Sequence, residues 1–195
     1  MLSGKTVIVG GSFNPPNRGH LLVTEYLSSE LCAAEVWLVP VKSHPLGKES
    51  IDFEHRYQMC KRMVAGMDGV RVSRAEEELG GSGRTVELLE HLMARYPERE
   101  FALCVGADIL HETSRWHRWD DMVKMVEVGG LGREGAAREG EGGVVLAQAP
   151  DFPPISSTSI RSKLAGGERS DQDVPPAVLG YIQEHGLYGA VVAGA

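Results

Sequence analysis

Glycines, a histidine and small polar side chains crowd the stretch Gly10-Gly11-Ser12-Phe13-Asn14-Pro15-Pro16-Asn17-Arg18-Gly19-His20. The apolar run Thr6-Val7-Ile8-Val9 leads into it and an amphipathic pattern, Leu21 to Ala33, leaves it. The order read from these residues is strand, glycine turn, helix. Beyond the carboxyl end of a strand in an open α/β sheet, such a turn is where ligands bind, and backbone N–H groups at a helix start favour a phosphate. His20, at the helix mouth, can add a proton donor or a positive charge. A second stretch, Ile155-Ser156-Ser157-Thr158-Ser159-Ile160-Arg161, suits an anion too. Ser157 or Thr158 is placed to cap a helix, which leaves N–H donors for phosphate oxygens. Arg161, one turn in, adds a planar fork. Taken alone, a Ser/Thr cap followed by Arg is commonplace.

These stretches need elements to hold them. Val36-Trp37-Leu38-Val39, ended by Pro40, reads as a buried strand, and Phe101 to Val105 as another. Val70-Arg71-Val72 and Val144 to Ala147 are shorter candidates. Phe53, Tyr57, Cys60, Val64 and Met67 form a helical stripe, as do Val86, Leu89, Met93 and Tyr96 before Pro97. Trp119 to Val126, Arg161 to Leu164 and Val178 to Glu184 are further helix patterns, and Glu76-Glu77-Glu78 reads as a solvated run. Strands alternating with helices predict βαβ units, and right-handed crossovers predict a doubly wound parallel α/β sheet. Gly129 to Gly143 reads as a flexible loop.

The length of 195 residues fits one domain, over 1–190, with 191–195 a frayed tail. No apolar run reaches the length of a membrane span, and no signal-peptide pattern opens the chain. Cys32, Cys60 and Cys104 lie in apolar patterns and predict buried free thiols in a reducing compartment, hence the cytoplasm. A net charge of -7 argues against nucleic acid as a partner but not against a small anion. The oligomeric state is left open, a homo-oligomer included.

The stretch from Gly10 to His20 resembles the phosphate-binding signature of the nucleotidyltransferase superfamily, G-G-x-F-D-P-x-H-x-G-H, with Asn14 and Asn17 at two polar positions. Ile155 to Arg161 resembles the I-S-S-T-x-I-R signature of the same superfamily. Gly106-Ala107-Asp108, followed by Trp116 and Trp119, resembles the G-x-D-x-L…W-x-x-W segment of bacterial nicotinate mononucleotide adenylyltransferases, and Val178 to Tyr188 looks like that family's C-terminal ending. The resemblance runs from about Lys5 to Tyr188.

It implies a Rossmann-like nucleotidyltransferase fold and a reaction. The 5′-phosphate of nicotinate or nicotinamide mononucleotide attacks the α-phosphorus of ATP, and pyrophosphate leaves, with Mg²⁺ carried on the ATP phosphates. Positioning and charge stabilisation suffice for such chemistry. By the resemblance, His20, Asn17 and Arg161 carry catalysis. Gly10, Gly11, Ser12, Phe13, Lys48, Gly106, Asp108, Ser157 and Thr158 bind ATP and its phosphates. Asn14, Lys42, His44, Arg84, Thr85 and Trp116 bind the mononucleotide, with Trp116 offering a flat face to the pyridine ring. Lys42, His44 and Lys48 share a loop that could close over phosphates.

The sequence departs from the family in two places. Asn17 replaces the first His of H-x-G-H and cannot become a cation, which predicts slower transfer or help from Arg18. Gly80 to Val86 lacks the Tyr of the family's S-Y-T segment, which leaves the preference for acid or amide open, with Arg84 a candidate partner for the nicotinate carboxylate. Three patterns are set aside. Gly130-Leu131-Gly132-Arg133-Glu134-Gly135 satisfies G-x-G-x-x-G but opens no helix pattern. His111, Glu112 and His117 lack zinc spacing. His55, His91 and His185 read as exposed helix residues, and no Walker loop is present. Two alternatives stay open: transfer to another phosphate acceptor such as phosphopantetheine or glycerol phosphate, and a catalytically silent nucleotide-binding or regulatory module.

Overall fold

Six strands form one sheet in the order β3-β2-β1-β4-β5-β6. They are β1 Thr6–Gly11, β2 Glu35–Pro40, β3 Val70–Val72, β4 Phe101–Gly106, β5 Glu127–Leu131 and β6 Val144–Leu146. Every neighbouring pair is parallel. The computed structural model describes residues 2–43, 50–80, 82–106, 116–131, 144–146 and 152–190. The helices are α1 Arg18–Ser29, α2 Phe53–Met63, α3 Ala75–Glu78, α4 Thr85–Arg95, α5 Trp119–Met125, α6 Ser157–Ala165 and α7 Pro176–Glu184, and a 3-10 turn, Leu187–Gly189, follows.

The central strand explains the two layers. Successive side chains of a strand point to opposite faces. Val7 and Val9 therefore enter a core with Leu27, Met59, Ile160 and Ile182, from α1, α2, α6 and α7. Ile8, between them, enters a second core with Leu89, Leu92, Trp119 and Met122, from α4 and α5. Burial on both faces is why β1 reads as an uninterrupted apolar run rather than an alternating one. The doubly wound sheet expected from the βαβ pattern is what forms. Its order reverses between β1 and β4, and the crevice outside such a switch point is the usual ligand position. The loop after β1 starts there.

Some expectations are corrected. Gly129 to Leu131, read as the start of a loop, belong to buried strand β5, paired with β4 from Ala102–Glu127 to Gly106–Leu131. Glycines carry no strand signal of their own. Gly129 is needed because a Cβ there would lie 2.9 Å from Leu2 Cδ1. The rest of that stretch, 132–143, lies outside the described residues, as does the 191–195 tail. Helix α1 begins at Arg18 and stops at Ser29, short of Ala33. Cys32 follows with a φ of 50° and is exposed, so only Cys60 and Cys104 are buried thiols. Burial pushes the Cys104 thiol up to about 12, and Cys60 higher still, so neither is a ready thiolate. His55 is half-buried rather than exposed, with Nδ1 3.0 Å from the Tyr181 hydroxyl where α2 meets α7. No helix among the described residues is long and apolar enough to cross a membrane.

Candidate active site

The loop after β1 is built to aim His20. Asn17 is the N-cap of α1, with extended backbone angles. Its Oδ1 accepts from the His20 N–H at 3.2 Å, and its own N–H donates to His20 Nδ1 at 3.0 Å. This is a reciprocal capping box with histidine in the place usually held by Glu or Gln. Because Nδ1 is used as an acceptor, the proton of the neutral ring sits on Nε2. The Phe13 ring, buried at φ 47°, lies 5.0 Å from the imidazole, centroid to centroid, and walls its other side. Gly11 makes room for that fold-back, since a Cβ there would lie 3.2 Å from Phe13 Cε2. At Gly10 a Cβ would meet nothing within 4 Å. The fold alone does not demand a glycine there, whereas a closely approaching ligand would.

The second signature meets the first. Asn17 Nδ2 donates to Ser157 Oγ at 3.1 Å, and Ser157 Oγ donates to the Pro15 carbonyl at 2.8 Å. Arg161 Nη1 donates to the Asn14 carbonyl at 2.8 Å, and Nη2 to Thr158 Oγ1 at 3.3 Å. The expected cap is corrected. Ser156, not Ser157 or Thr158, is the N-cap of α6, and it makes no side-chain cap hydrogen bond. Ser157 is diverted into the clamp instead. The first-turn N–H groups of α6 are therefore not taken by a capping side chain, which suits an anion. A cavity of about 160 Å³ lined by Ser156, Ser159 and Lys163 opens on another face of α6, away from Ser157 and Arg161 by helical spacing.

The rim is completed by the ends of neighbouring elements. Gly11 pairs with Pro40, and the Val41 N–H donates to the Gly11 carbonyl at 3.0 Å. Lys42 follows, its side chain exposed. Gly106 ends β4, half-buried, two residues past the Val9–Cys104 pairing. Arg84 precedes α4 and Thr85 opens it; Arg84 Nη1 pairs with Glu87 at 3.0 Å on the surface. Trp116 is half-buried and sets its ring edge-to-face with buried Trp119 at 6.0 Å. Lys48, His44 and Asp108 lie outside the described residues.

Two charged residues that matter here escaped the reading of the sequence. Arg56, on the α2 stripe, is 1% exposed. Its Nη1 donates to the Ser12 and Val41 carbonyls at 2.9 and 2.7 Å, Nη2 to Lys42 O at 3.2 Å, and Nε to Ile51 O at 3.0 Å. It staples the loop after β1 to the loop after β2. Its one signal is position: three residues after Phe53 and four before Cys60, it lies on the apolar face. Glu76 corrects the solvated run. Glu77 pairs with Arg74 at 2.7 Å and Glu78 with Arg95 at 3.7 Å, both at the surface, but Glu76 is 2% exposed. It accepts from the backbone N–H groups of Gly83 and Lys42, and burial holds its pKa above the usual value despite them.

Comparison with known proteins places the chain in a family. The family model described as Cytidylyltransferase-like matches residues 8–163, from within β1 into α6. A relative from Anaeromyxobacter sp. (strain K), named "Probable nicotinate-nucleotide adenylyltransferase", is 43% identical over 192 residues, 96% of this chain and 99% of its own. The chain belongs to this family. A relative of the same name from Geobacillus kaustophilus is 34% identical, covering 96% of this chain and 87% of its own. The fold is shared with the nicotinic acid mononucleotide adenylyltransferase of Plasmodium falciparum, solved in complex with NaAD. It superposes with a TM-score of 0.81 at 20% identity, over 95% of this chain and 98% of that one.

Proposed function

We propose that this chain transfers the adenylyl group of ATP to a pyridine mononucleotide, nicotinate mononucleotide first, releasing pyrophosphate and forming the dinucleotide of NAD biosynthesis. The observation that carries this is the clamp: Asn17–Ser157 at 3.1 Å and Arg161–Asn14 at 2.8 Å make one phosphate-binding unit from segments at opposite ends of the chain. The named relatives support the acceptor.

In this reading a 5′-phosphate oxygen of the mononucleotide forms a bond to the α-phosphorus, and the bond from that phosphorus to the β-bridging oxygen breaks. The electron pair leaves with pyrophosphate. The attacking phosphate is already anionic, so no general base is required. His20 donates from Nε2 to the α-phosphate as charge builds there. Of its five N–H donors, Arg161 spends two on Asn14 and Thr158, and the remainder face the leaving phosphates. Gly10, Gly11 and Ser12 let the backbone approach the nucleotide. Gly106, with Asp108, seats the adenosine, and Lys48 reaches the phosphates. Lys42, His44, Arg84, Thr85 and Asn14 hold the mononucleotide, and Trp116 stacks on its ring. Among the described residues no group of three or more His, Cys, Asp or Glu side chains could hold a metal ion. Mg²⁺ fits this donor set as part of the substrate, bound by the ATP phosphates and water. We place the reaction in the cytoplasm.

Pyrophosphate release from ATP, measured with nicotinate or nicotinamide mononucleotide as acceptor, tests the proposal. Turnover should depend on Mg²⁺, favour nicotinate mononucleotide and fall about 10²–10³-fold in His20→Ala, the scale of one lost transition-state donor. Binding of both nucleotides without pyrophosphate release would overturn it in favour of a silent module.

A further inference from the structure

A chain of polar contacts runs along the carboxyl rim of the sheet, and Glu76 is its last link. Arg56 ties Ser12 to Val41 and Lys42. Glu76 then ties Lys42 to Gly83, taking a backbone N–H from each. The segments joined are the phosphate loop, the loop after β2 and the loop before α4. Glu76 Oε2 is buried with no hydrogen-bond partner among the described residues. No cation among them pairs with the carboxylate, although Arg74, two residues earlier, is held by Glu54 and Glu77. A group kept only for folding would not need to be an ionisable carboxyl here, because a buried charge without a counter-ion works against the folded state.

We propose that Glu76 is a positioning residue for the acceptor nucleotide, fixing the separation of the loop carrying Lys42 from the loop carrying Arg84 and Thr85. This rests on the adenylyltransferase reading above, which assigns those three residues to the mononucleotide. A carboxylate suits the task because both N–H donors come from the main chain, and an anionic acceptor makes the stronger bonds. Both loops are then set by main-chain bonds and leave their side chains to the ligand. In the same reading ATP is gripped chiefly by the β1 loop and α6, with Lys48 its one contact from these two loops.

The experiment is steady-state kinetics on Glu76→Gln and Glu76→Leu, each substrate varied in turn. The KM for the mononucleotide should rise about tenfold in Glu76→Gln, the scale of weakening a charge-assisted hydrogen bond, and further in Glu76→Leu, while the KM for ATP stays within about twofold. The Gln variant should melt no lower than wild type, which separates positioning from folding. Equal rises in both KM values, or an unchanged mononucleotide KM in a folded Gln variant, would overturn the proposal. The Gln variant alone decides if the Leu variant does not fold. Wild type is assayed first: its failure to release pyrophosphate counts against the adenylyltransferase reading, and an active wild type with an indifferent Glu76→Gln counts against Glu76 alone.

Discussion

At Asn17 the loss of one property is matched by the use of another. Histidine at this position could carry a charge, and asparagine cannot. Asparagine does have one acceptor and one donor end, and both are spent: Oδ1 on the His20 N–H, Nδ2 on Ser157 Oγ. The residue aims the imidazole proposed here to act on the α-phosphate and ties it to α6 without adding charge. Glu76 shows the opposite choice, an ionisable group kept where its charge is costly. Burial, with the like charge of Glu87, raises its pKa, while the N–H groups of Gly83 and Lys42 lower it less. The sign follows from proton binding. The folded state holds the Glu76 proton more tightly than the unfolded chain, so stability is full below the ordinary value of 4.5 and is lost as pH climbs through the raised folded value. Glu76→Gln removes that titration. Its melting temperature relative to wild type should be lowest in acid and climb toward neutral pH, as thermal melts across that range would record. A difference that stays flat with pH would show that Glu76 does not titrate in a buried setting.

Among the elements, α2 does most to join the ligand rim. Arg56 reaches four carbonyl oxygens from α2. Arg56→Met keeps much of the stem volume and removes every donor. Burial without a partner costs about 1–3 kcal/mol per polar group. Denaturant unfolding should therefore show a loss of at least about 2 kcal/mol, with KM raised for both substrates because both rim loops are released. A loss confined to one substrate would contradict this stapling role. Arg56 also marks where the sequence was hard to read. Strand β1, its loop and α1 were legible because an apolar run, a glycine turn and a helical pattern agree locally. Helix α6 was legible by its spaced Ser, Thr and Arg, though not its cap, since Ser157 spends its hydroxyl on a carbonyl far away in sequence. Arg56 and Glu76 lie in helices where charge ordinarily means solvent, and only their tertiary surroundings bury them. Strand β5 was hidden by Gly129 and Gly130, which carry no strand preference; at Gly129 the close approach of Leu2 is the reason for the glycine.

Across the whole molecule, the two ends of the chain finish the site together. The closing 3-10 turn places Tyr188 at φ 56°, with its hydroxyl donating to Asn14 Oδ1 at 2.7 Å, 174 residues away in sequence. Arg161 holds the Asn14 carbonyl, so Asn14 is gripped from α6 and from the C-terminal turn at once. Burial raises the Tyr188 pKa, while the charges of Arg161 and Arg56 oppose it. The phenol is therefore neutral at physiological pH, a donor to the amide oxygen rather than an anion competing with phosphate for the arginines. Tyr188→Phe keeps the ring and deletes the donor. A single buried hydrogen bond is worth about 0.5–1.5 kcal/mol, so unfolding free energy should drop by that amount. Asn14 and Arg161 would then be less well fixed, and kcat/KM should fall while the fold persists by circular dichroism. Removing the turn after His185 should produce at least the same kinetic loss. Wild-type kcat/KM in both variants would mean that the β1 loop and α6 form the phosphate grip without help from the C-terminal turn.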